Sequence, residues 1–398
     1  MDRAYLEKHQ ETIRIGSATA LERVQGAHTP ATRLFAQNRY PRPIVLNDAP
    51  MTTWTSDLRV VRTSLWINPV YDQKMKAEPG IALDILDVKG DPEVGWKQLG
   101  QAHVYQIAAT KDDLPKPFFA HQELIERCPN LLVVSSNGAG FDTVDAHACT
   151  RAGILVVNQS GGNARSVAEH TFGLMLGLSR KMIECDRKMH RTQALTREEV
   201  MGHEITGKTL GLVGIGQVGT QVAAVAQAFQ MKVLACDPGV APEEIRRRGA
   251  EPVSLEDLLA QSDVVSLHCP RDETTLRMMN AQRFAQMKRG ALFITTARGG
   301  IHDEQALTQA LTSGHLAGAG LDVWDQEPPP IDHPLLALEN VYATFHTAGV
   351  THEARHNVAR MGAQQIIDWK HSLQMPPRCA NPQAWPAHLA RRKQILGF

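Results

Sequence analysis

The chain reads as an α/β protein built from two doubly wound, Rossmann-like or flavodoxin-like domains with a cleft between them. Three observations predict this. Its 398 residues are too many for one typical domain and enough for each of two to bury its own core. The apolar segments are short Val/Ile/Leu runs rather than period-2 stripes, as parallel strands buried on both faces require. These runs alternate with amphipathic stretches, so each strand leads through a turn into a crossover helix.

Taken in order, residues 1–57 show a possible helix at Ala4–Ile13 and are set aside as an N-terminal extension. Strands are expected at Arg59–Ser64, Ile81–Val88, His103–Ala109, Leu131–Ser135 and Ile154–Asn158, with a helix near Ala120–Arg127. Ser166–Met189 reads as one long interdomain helix with Ala168, Phe172, Met175, Leu176 and Met182 on its apolar face. From Thr209 the alternation is regular. Strands fall at Thr209–Val213, Lys232–Cys236, Val264–His268, Ala291–Thr295, Gly318–Asp322 and Val341–Phe345. Helices fall at Gln217–Phe229, Leu255–Gln261, Ala281–Met287 and Glu304–Ser313, and Ser254 with Asp257 forms a capping box before the second of them. A last helix over Glu353–Leu373 can carry the chain back to the first domain. The expected organisation is a discontinuous catalytic domain, 58–165 with 347–398, around a nucleotide-binding domain, 166–346.

Composition narrows the partner. Forty-two Lys and Arg balance 42 Asp and Glu, which removes the long-range positive field of a nucleic-acid or anionic-membrane binder. No apolar run approaches the roughly 18 residues of a membrane span, and Met1–Gly16 lacks the apolar segment of a signal peptide. Cys128, Cys149, Cys185, Cys236, Cys269 and Cys379 form no C-x-x-C pair and read as reduced residues of a cytoplasmic protein. A small-molecule partner is expected.

Gly214, Gly216 and Gly219 form G-x-G-x-x-G between an expected strand and helix. In that context the first glycine makes the tight turn, the second admits a diphosphate, and the third lets helix and strand pack closely. The helix N-terminus offers N–H groups and the positive end of its dipole. Asp237, ending the next strand, is placed to accept from both adenosine ribose hydroxyls, and no Arg directly follows it. The expected cofactor is therefore NAD. Arg246, Arg247 and Arg248 read as a solvated face.

The later strands end in chemistry suited to hydride transfer: Thr296–Gly300 carries Arg298, Val323–Pro328 carries carboxylates, and His346–Gly349 carries an imidazole. An Arg fork can hold a carboxylate and polarise the adjacent carbonyl. A His can exchange a proton with that carbonyl oxygen, oriented by a neighbouring carboxylate.

With these residues in place, Leu58–Trp385 resembles the D-isomer-specific 2-hydroxyacid dehydrogenases. The likeness is carried by Asn137–Asp142, Ser166–His170, the glycine loop with Asp237, Thr295–Gly299, Leu321–Pro328 and His346–Gly349. It implies Arg298, Glu327 and His346 as the catalytic residues. The substrate would be held by Asn137, Gly138 and Ala139, through backbone N–H groups, together with Arg298 and His346. The cofactor contacts implied are Gly214, Gly216, Gln217, Val218, Gly219, Asp237, Cys269, Pro270, Thr275, Thr296, Ala297, Asp322, His346 and Ala348. Formate dehydrogenases of similar sequence carry Gln where Glu327 stands, which favours a carbonyl substrate that needs a proton. Phe345 replaces the family's usual Pro. A homodimer is implied by the resemblance alone.

Two other readings compete. His352-Glu353-x-x-His356 matches the H-E-x-x-H pattern of zinc hydrolases, without a later Glu as third ligand. A regulator of the same fold that senses NADH is the other. Trp54, Trp66, Phe118 and Phe119 are expected in the core, with an apolar pocket lining as their alternative role.

Overall fold

The computed structural model describes residues 57–192 and 194–397; Ala4–Ile13 and Trp54 lie outside them. Two all-parallel sheets organise the rest, as the sequence predicts. The first contains β1 (Leu58–Thr63), β2 (Ile81–Leu86), β3 (Val104–Ala108), β4 (Val133–Asn137) and β5 (Leu155–Val157), in the order β2-β1-β3-β4-β5. The second has seven strands: β6 (Thr209–Val213), β7 (Lys232–Cys236), β8 (Glu251–Pro252), β9 (Val264–Leu267), β10 (Leu292–Thr295), β11 (Gly318–Leu321) and β12 (Val341–Ala343). Their order is β12-β11-β10-β9-β6-β7-β8, which reverses direction between β6 and β9. A crevice at that switch point, outside the carboxyl ends of the strands, is where doubly wound sheets bind ligands.

Register decides what reaches the crevice. Val213 pairs with Cys236 and Leu267, Leu267 with Thr295, Thr295 with Leu321, and Leu321 with Ala343. Five strand ends are thus level with β6, and the residues following each emerge on one edge. The central strands β9 and β11 are buried along their whole length, which explains their apolar or glycine-rich sequences, interrupted only by the small Ser266 of β9.

The segment read as one helix over Ser166–Met189 is two: α5 (Ala164–Ser179) and α6 (Met182–Met189). Lys181 between them takes φ +51°. Gly202 packs on Arg180, and His203 N–H donates to Ser179 O at 2.6 Å, so a second segment of chain occupies the space a continued helix would need. Ala168, Phe172 and Met175 are buried as expected, but Met182 is 59% exposed because it begins the redirected helix. Five helices among the described residues escaped the pattern: α1 (Val70–Ala77), α2 (Pro92–Leu99) and α4 (Ala146–Arg151), with α3 (Gln122–Arg127) between the last two, and in the second half those over Pro242–Arg247 and Trp385–Leu396. Asp91 and Asp145 cap α2 and α4 through N–H groups of Glu93 and Ala148, a signal present in the sequence.

In the second half, α7 (Gln217–Ala228), α8 (Pro242–Arg247), α9 (Leu255–Gln261), α10 (Ala281–Gln286) and α11 (Glu304–Thr312) cover the seven-stranded sheet. The chain then enters α12 (His352–His371), capped by Thr351, whose hydroxyl accepts from Ala354 N–H at 3.0 Å. Ala359, Ala363, Ile366 and Trp369 of α12 share a core with Leu58, Val60, Tyr71 and Met75, so α12 packs on the first sheet. No helix among the described residues is long and apolar enough to cross a membrane.

Candidate active site

A cleft of about 630 Å3 lies where loops of the two sheets meet. From the first sheet come Thr63, Ala108 and the Asn137–Asp142 loop after β4; from the second come Gly216–Val218, His268–Arg271, Thr296–Arg298, Asp322, His346 and Ala348. These are the residues that follow the level strand ends.

Asp322 sets the position of His346. Its side chain is 0% exposed, and both oxygens are committed. Oδ1 accepts from Thr344 Oγ1 at 2.6 Å and Thr347 N–H at 2.8 Å, and Oδ2 from Ala348 N–H at 3.0 Å. Its carbonyl accepts His346 N–H at 2.7 Å. From α5, His170 hydrogen-bonds Thr344 and Ser166 hydrogen-bonds Thr351, giving the Ser166–His170 motif a bracing role. The clamp holds His346 at φ +46°, a left-handed conformation that bulky residues rarely take and that costs roughly 1–3 kcal/mol. Phe345, in place of the usual Pro, is 56% exposed and does not line the cleft.

His346 Nδ1 meets Glu327 Oε2 at 2.8 Å, while Glu327 Oε1 accepts Trp324 N–H at 3.1 Å. Burial pushes the Glu327 carboxyl up. The hydrogen bond and charge of His346, the Trp324 N–H and the charge of Arg298 outweigh it and hold the group below the ordinary glutamate value. An ionised carboxylate only accepts, so Nδ1 carries the proton and Nε2 is left for the cleft.

Arg298 donates through Nη1 to Ala297 O at 2.7 Å and through Nε to Asp142 Oδ2 at 3.0 Å. Its Nη2 lies against Gly140, where any side chain would collide with it. The other oxygen of Asp142 accepts from Arg271 Nη2 at 3.1 Å, and Arg271 Nη1 donates to Gly299 O. Asp142 therefore bridges two guanidiniums that rise from the opposite sheet. Neither Asp142 nor Arg271 stood out in the sequence, because their meaning depends on which loops face each other.

The Asn137–Ala139 loop needs one correction. Gly138 N–H donates to Gln159 Oε1 at 3.0 Å, so it is not free for a substrate carboxylate. Ala139 and Gly140 offer N–H groups that have no protein acceptor among the described residues.

The glycine loop suits a diphosphate. Gly214 has φ +96° and sits against the His268–Cys269 backbone, where a Cβ would lie 2.8 Å from Cys269 N. Gly219 packs on the carbonyl of Gly214, and Gly216 has open space in front of its Cα on the cleft side. Helix α7 starts there without a side-chain cap, leaving first-turn N–H groups at the cleft. Asp237 Oδ2 accepts from Ile215 N–H at 2.9 Å and Oδ1 from Gly239 N–H at 3.0 Å; each oxygen keeps a lone pair for a ribose hydroxyl. Arg246 and Arg247 are exposed, pairing with Glu251 and Glu244, whereas Arg248 is half-buried and braces the glycine loop. Its Nη1 donates to Ile215 O at 2.6 Å while Nε pairs with Glu244, so the Ile215 peptide is held at both ends.

Among the expected cofactor contacts, Gly216, Gln217, Val218, Cys269, Pro270, Thr296, Ala297, Asp322, His346 and Ala348 line the cleft. Gly214, Gly219 and Asp237 shape its loop. Thr275 does not reach the cleft: its hydroxyl donates to Pro270 O at 2.7 Å and accepts from Asp272 N–H, closing the turn after β9. His268 was overlooked. It lines the cleft beside Ser266 Oγ, and burial pushes its imidazole down to about 4, so it is neutral at physiological pH.

Phe118 and Phe119 are core residues, whereas Trp66 is 62% exposed and lines the cleft; its core placement was wrong because the turn after β1 turns it outward. His352, Glu353 and His356 sit exposed on the first turns of α12, and no group of three His, Cys, Asp or Glu able to hold a metal gathers among the described residues.

Comparison with known proteins agrees with this geometry. Residues 172–348 match the family model described as D-isomer specific 2-hydroxyacid dehydrogenase, NAD binding domain. The D-3-phosphoglycerate dehydrogenase of Archaeoglobus fulgidus is 42% identical over 251 residues, 63% of this chain and 47% of its own length. The glyoxylate reductase of Korarchaeum cryptofilum is 38% identical over 66% of this chain and 79% of its own. The chain thus spans about half the length of the curated phosphoglycerate dehydrogenases it matches. The structure of D-lactate dehydrogenase from Aquifex aeolicus, complexed with NAD and lactic acid, superposes with a TM-score of 0.68 at 30% identity, covering 78% of this chain and 95% of that one.

Proposed function

The chain belongs to the D-isomer specific 2-hydroxyacid dehydrogenase family, with NAD as cofactor, and from that membership we propose that it interconverts a D-2-hydroxy acid and its 2-oxo acid. The observation that carries the reading is the His346–Glu327 pair, 2.8 Å apart, whose His346 shares the cleft wall with Arg298. Gly216, Gln217 and Val218 would hold the diphosphate of the cofactor and Asp237 its adenosine ribose, with His268–Pro270 and Thr296–Ala297 beside them. When bound, the cofactor supplies or accepts the hydride. The chain does the rest. Arg298 pairs with the substrate carboxylate and polarises the neighbouring carbonyl. Protonated His346 gives its Nε2 proton to the carbonyl oxygen in reduction and takes it back in oxidation. Glu327 stays ionised through the cycle and stabilises the imidazolium through Nδ1.

The same reading assigns 58–165 with 347–398 to the substrate side and 166–346 to the nucleotide side, in a cytoplasmic homodimer. The test is NADH oxidation with glyoxylate, hydroxypyruvate, pyruvate, phenylpyruvate, branched 2-oxo acids and phosphohydroxypyruvate, followed by chiral analysis of the product. Turnover giving the D isomer is expected. Tight NADH binding without turnover on any of them would replace the enzyme with a sensor.

A further inference from the structure

We propose that Arg355 selects the substrate by binding a second anionic group, a carboxylate or a phosphate, at the end of the 2-oxo acid remote from the reacting carbonyl. This rests on the dehydrogenase reading above and goes beyond it by naming the substrate class. Arg355 is the fourth residue of α12, and its side chain reaches the wall of the same cleft. There its guanidinium lies 6.0 Å from the centre of the Trp66 ring, which also lines the cleft.

Apart from the Trp66 ring, Arg355 has no partner among the described residues. Among the described residues no carboxylate lies within ion-pair distance of it and no acceptor takes a hydrogen bond from its side chain. Its own helix offers none, since the positions three and four away are His352, Thr351, Val358 and Ala359. A cation near a helix N-terminus also opposes the helix dipole. Stability does not explain an arginine at this position.

Most other charges of the cleft are already engaged, and Asp113, which also lines it, accepts from the Thr110 hydroxyl. Arg298 and Arg271 are joined through Asp142, and the oxygens of Asp322 are filled by Thr344, Thr347 and Ala348. A 2-oxo acid satisfies Arg298 with its own carboxylate. Arg355 then remains as a positive charge with no ion-pair partner on the cleft wall. A neutral alkyl or aryl substituent would strip water from the guanidinium and return nothing. A second carboxylate or a phosphate matches its planar fork of donors, with Trp66 as the platform beneath both.

The experiment compares pairs of substrates with and without a second anionic group by NADH oxidation: 2-oxoglutarate against 2-oxovalerate, oxaloacetate against 2-oxobutyrate, and phosphohydroxypyruvate against hydroxypyruvate. The first two pairs test a carboxylate and the third a phosphate. The unsubstituted enzyme is expected to favour the doubly anionic member of at least one pair by tenfold or more in kcat/KM. Arg355→Gln should collapse that ratio roughly 10- to 100-fold, the span of a charge-assisted hydrogen bond, mainly through KM. Arg355→Lys, which keeps the charge and loses the fork, should restore part of it. Ratios near one in every pair, or an Arg355→Gln enzyme that loses both members of a pair equally, would overturn the role of Arg355 while leaving the dehydrogenase reading intact. Absence of turnover with all six would overturn both.

Discussion

Glu327→Gln preserves the shape of the catalytic pair and removes its charge. Both carboxylate oxygens accept in the folded protein, one from His346 Nδ1 at 2.8 Å and one from Trp324 N–H at 3.1 Å. An amide has a single acceptor oxygen, so the substitution sets these two donors against each other. If the oxygen stays with Trp324, the NH2 group faces Nδ1 and stabilises the wrong tautomer. If it turns to His346, the half-buried Trp324 N–H is left without its partner. Either way the charge-assisted bond to the imidazolium is lost. Such bonds contribute about 1.5–3 kcal/mol, which at about 1.36 kcal/mol per tenfold in rate predicts a loss of roughly 10- to 150-fold in kcat.

The assay is steady-state NADH oxidation with the most active 2-oxo acid, beside a direct measurement of NADH binding. Binding should change little, because Glu327 does not line the cleft. A stability signature accompanies this. The Glu327 carboxyl titrates below its ordinary value in the folded protein, so its contribution is present above the unfolded value of about 4.3 and is lost as pH falls through the folded one. Glu327→Gln should flatten that acid limb. A variant that kept kcat within about threefold would refute the acid–base pairing, because loss of the charge-assisted bond predicts a fall of roughly tenfold or more.

Three further substitutions read other parts of the site. Gly140→Ala drives a methyl group into the Arg298 guanidinium and should raise KM for the 2-oxo acid by about tenfold or more, with NADH affinity, followed by fluorescence, unchanged. Asp237→Ala removes the acceptor of the Ile215 N–H as well as the ribose carboxylate; the ratio of NAD to NADP in kcat/KM should fall by roughly tenfold or more, and an unchanged ratio would remove Asp237 from the cofactor site. His302 is 0% exposed with neither nitrogen hydrogen-bonded, and burial pushes its imidazole down to about 4. The unfolded chain binds that proton near pH 6.5 and the folded one does not, so stability should drop as pH falls from about 6.5 towards 4, by up to about 1.4 kcal/mol per pH unit from this group. Urea unfolding of His302→Phe at about pH 7 and about pH 5 should show a smaller drop than the unsubstituted protein.

The parts of the molecule that could be read from sequence share a physical cause. In β6 and β7 the expected strands coincide with the observed ones residue for residue, because their buried interiors are apolar or glycine and polar Thr209 and Lys232 stand only at the less buried starts. Arg298 and His346 were legible for the same reason, since each follows a strand end and parallel register brings all such ends to one edge. The single helix over Ser166–Met189 failed because its interruption at Lys181 is imposed by Gly202 and His203, some twenty residues further along. Periodicity within the segment carries no trace of that.

Contacts across the cleft were beyond the sequence for a related reason. Asp142 meets Arg298 over a separation of 156 residues, and the meeting depends on how one sheet's loops oppose the other's, which no local pattern encodes. Its consequence is mechanical as well as electrostatic. The carboxylate that holds Arg298 in place belongs to the same loop whose Ala139 and Gly140 N–H groups are open to the cleft. Any movement of the first sheet relative to the second therefore moves the carboxylate-binding backbone and the orientation of Arg298 together. Asp142→Asn weakens that tie without touching His346 or Glu327. It should raise KM for every 2-oxo acid by a similar factor, which separates it from Arg355, whose loss falls on doubly anionic substrates.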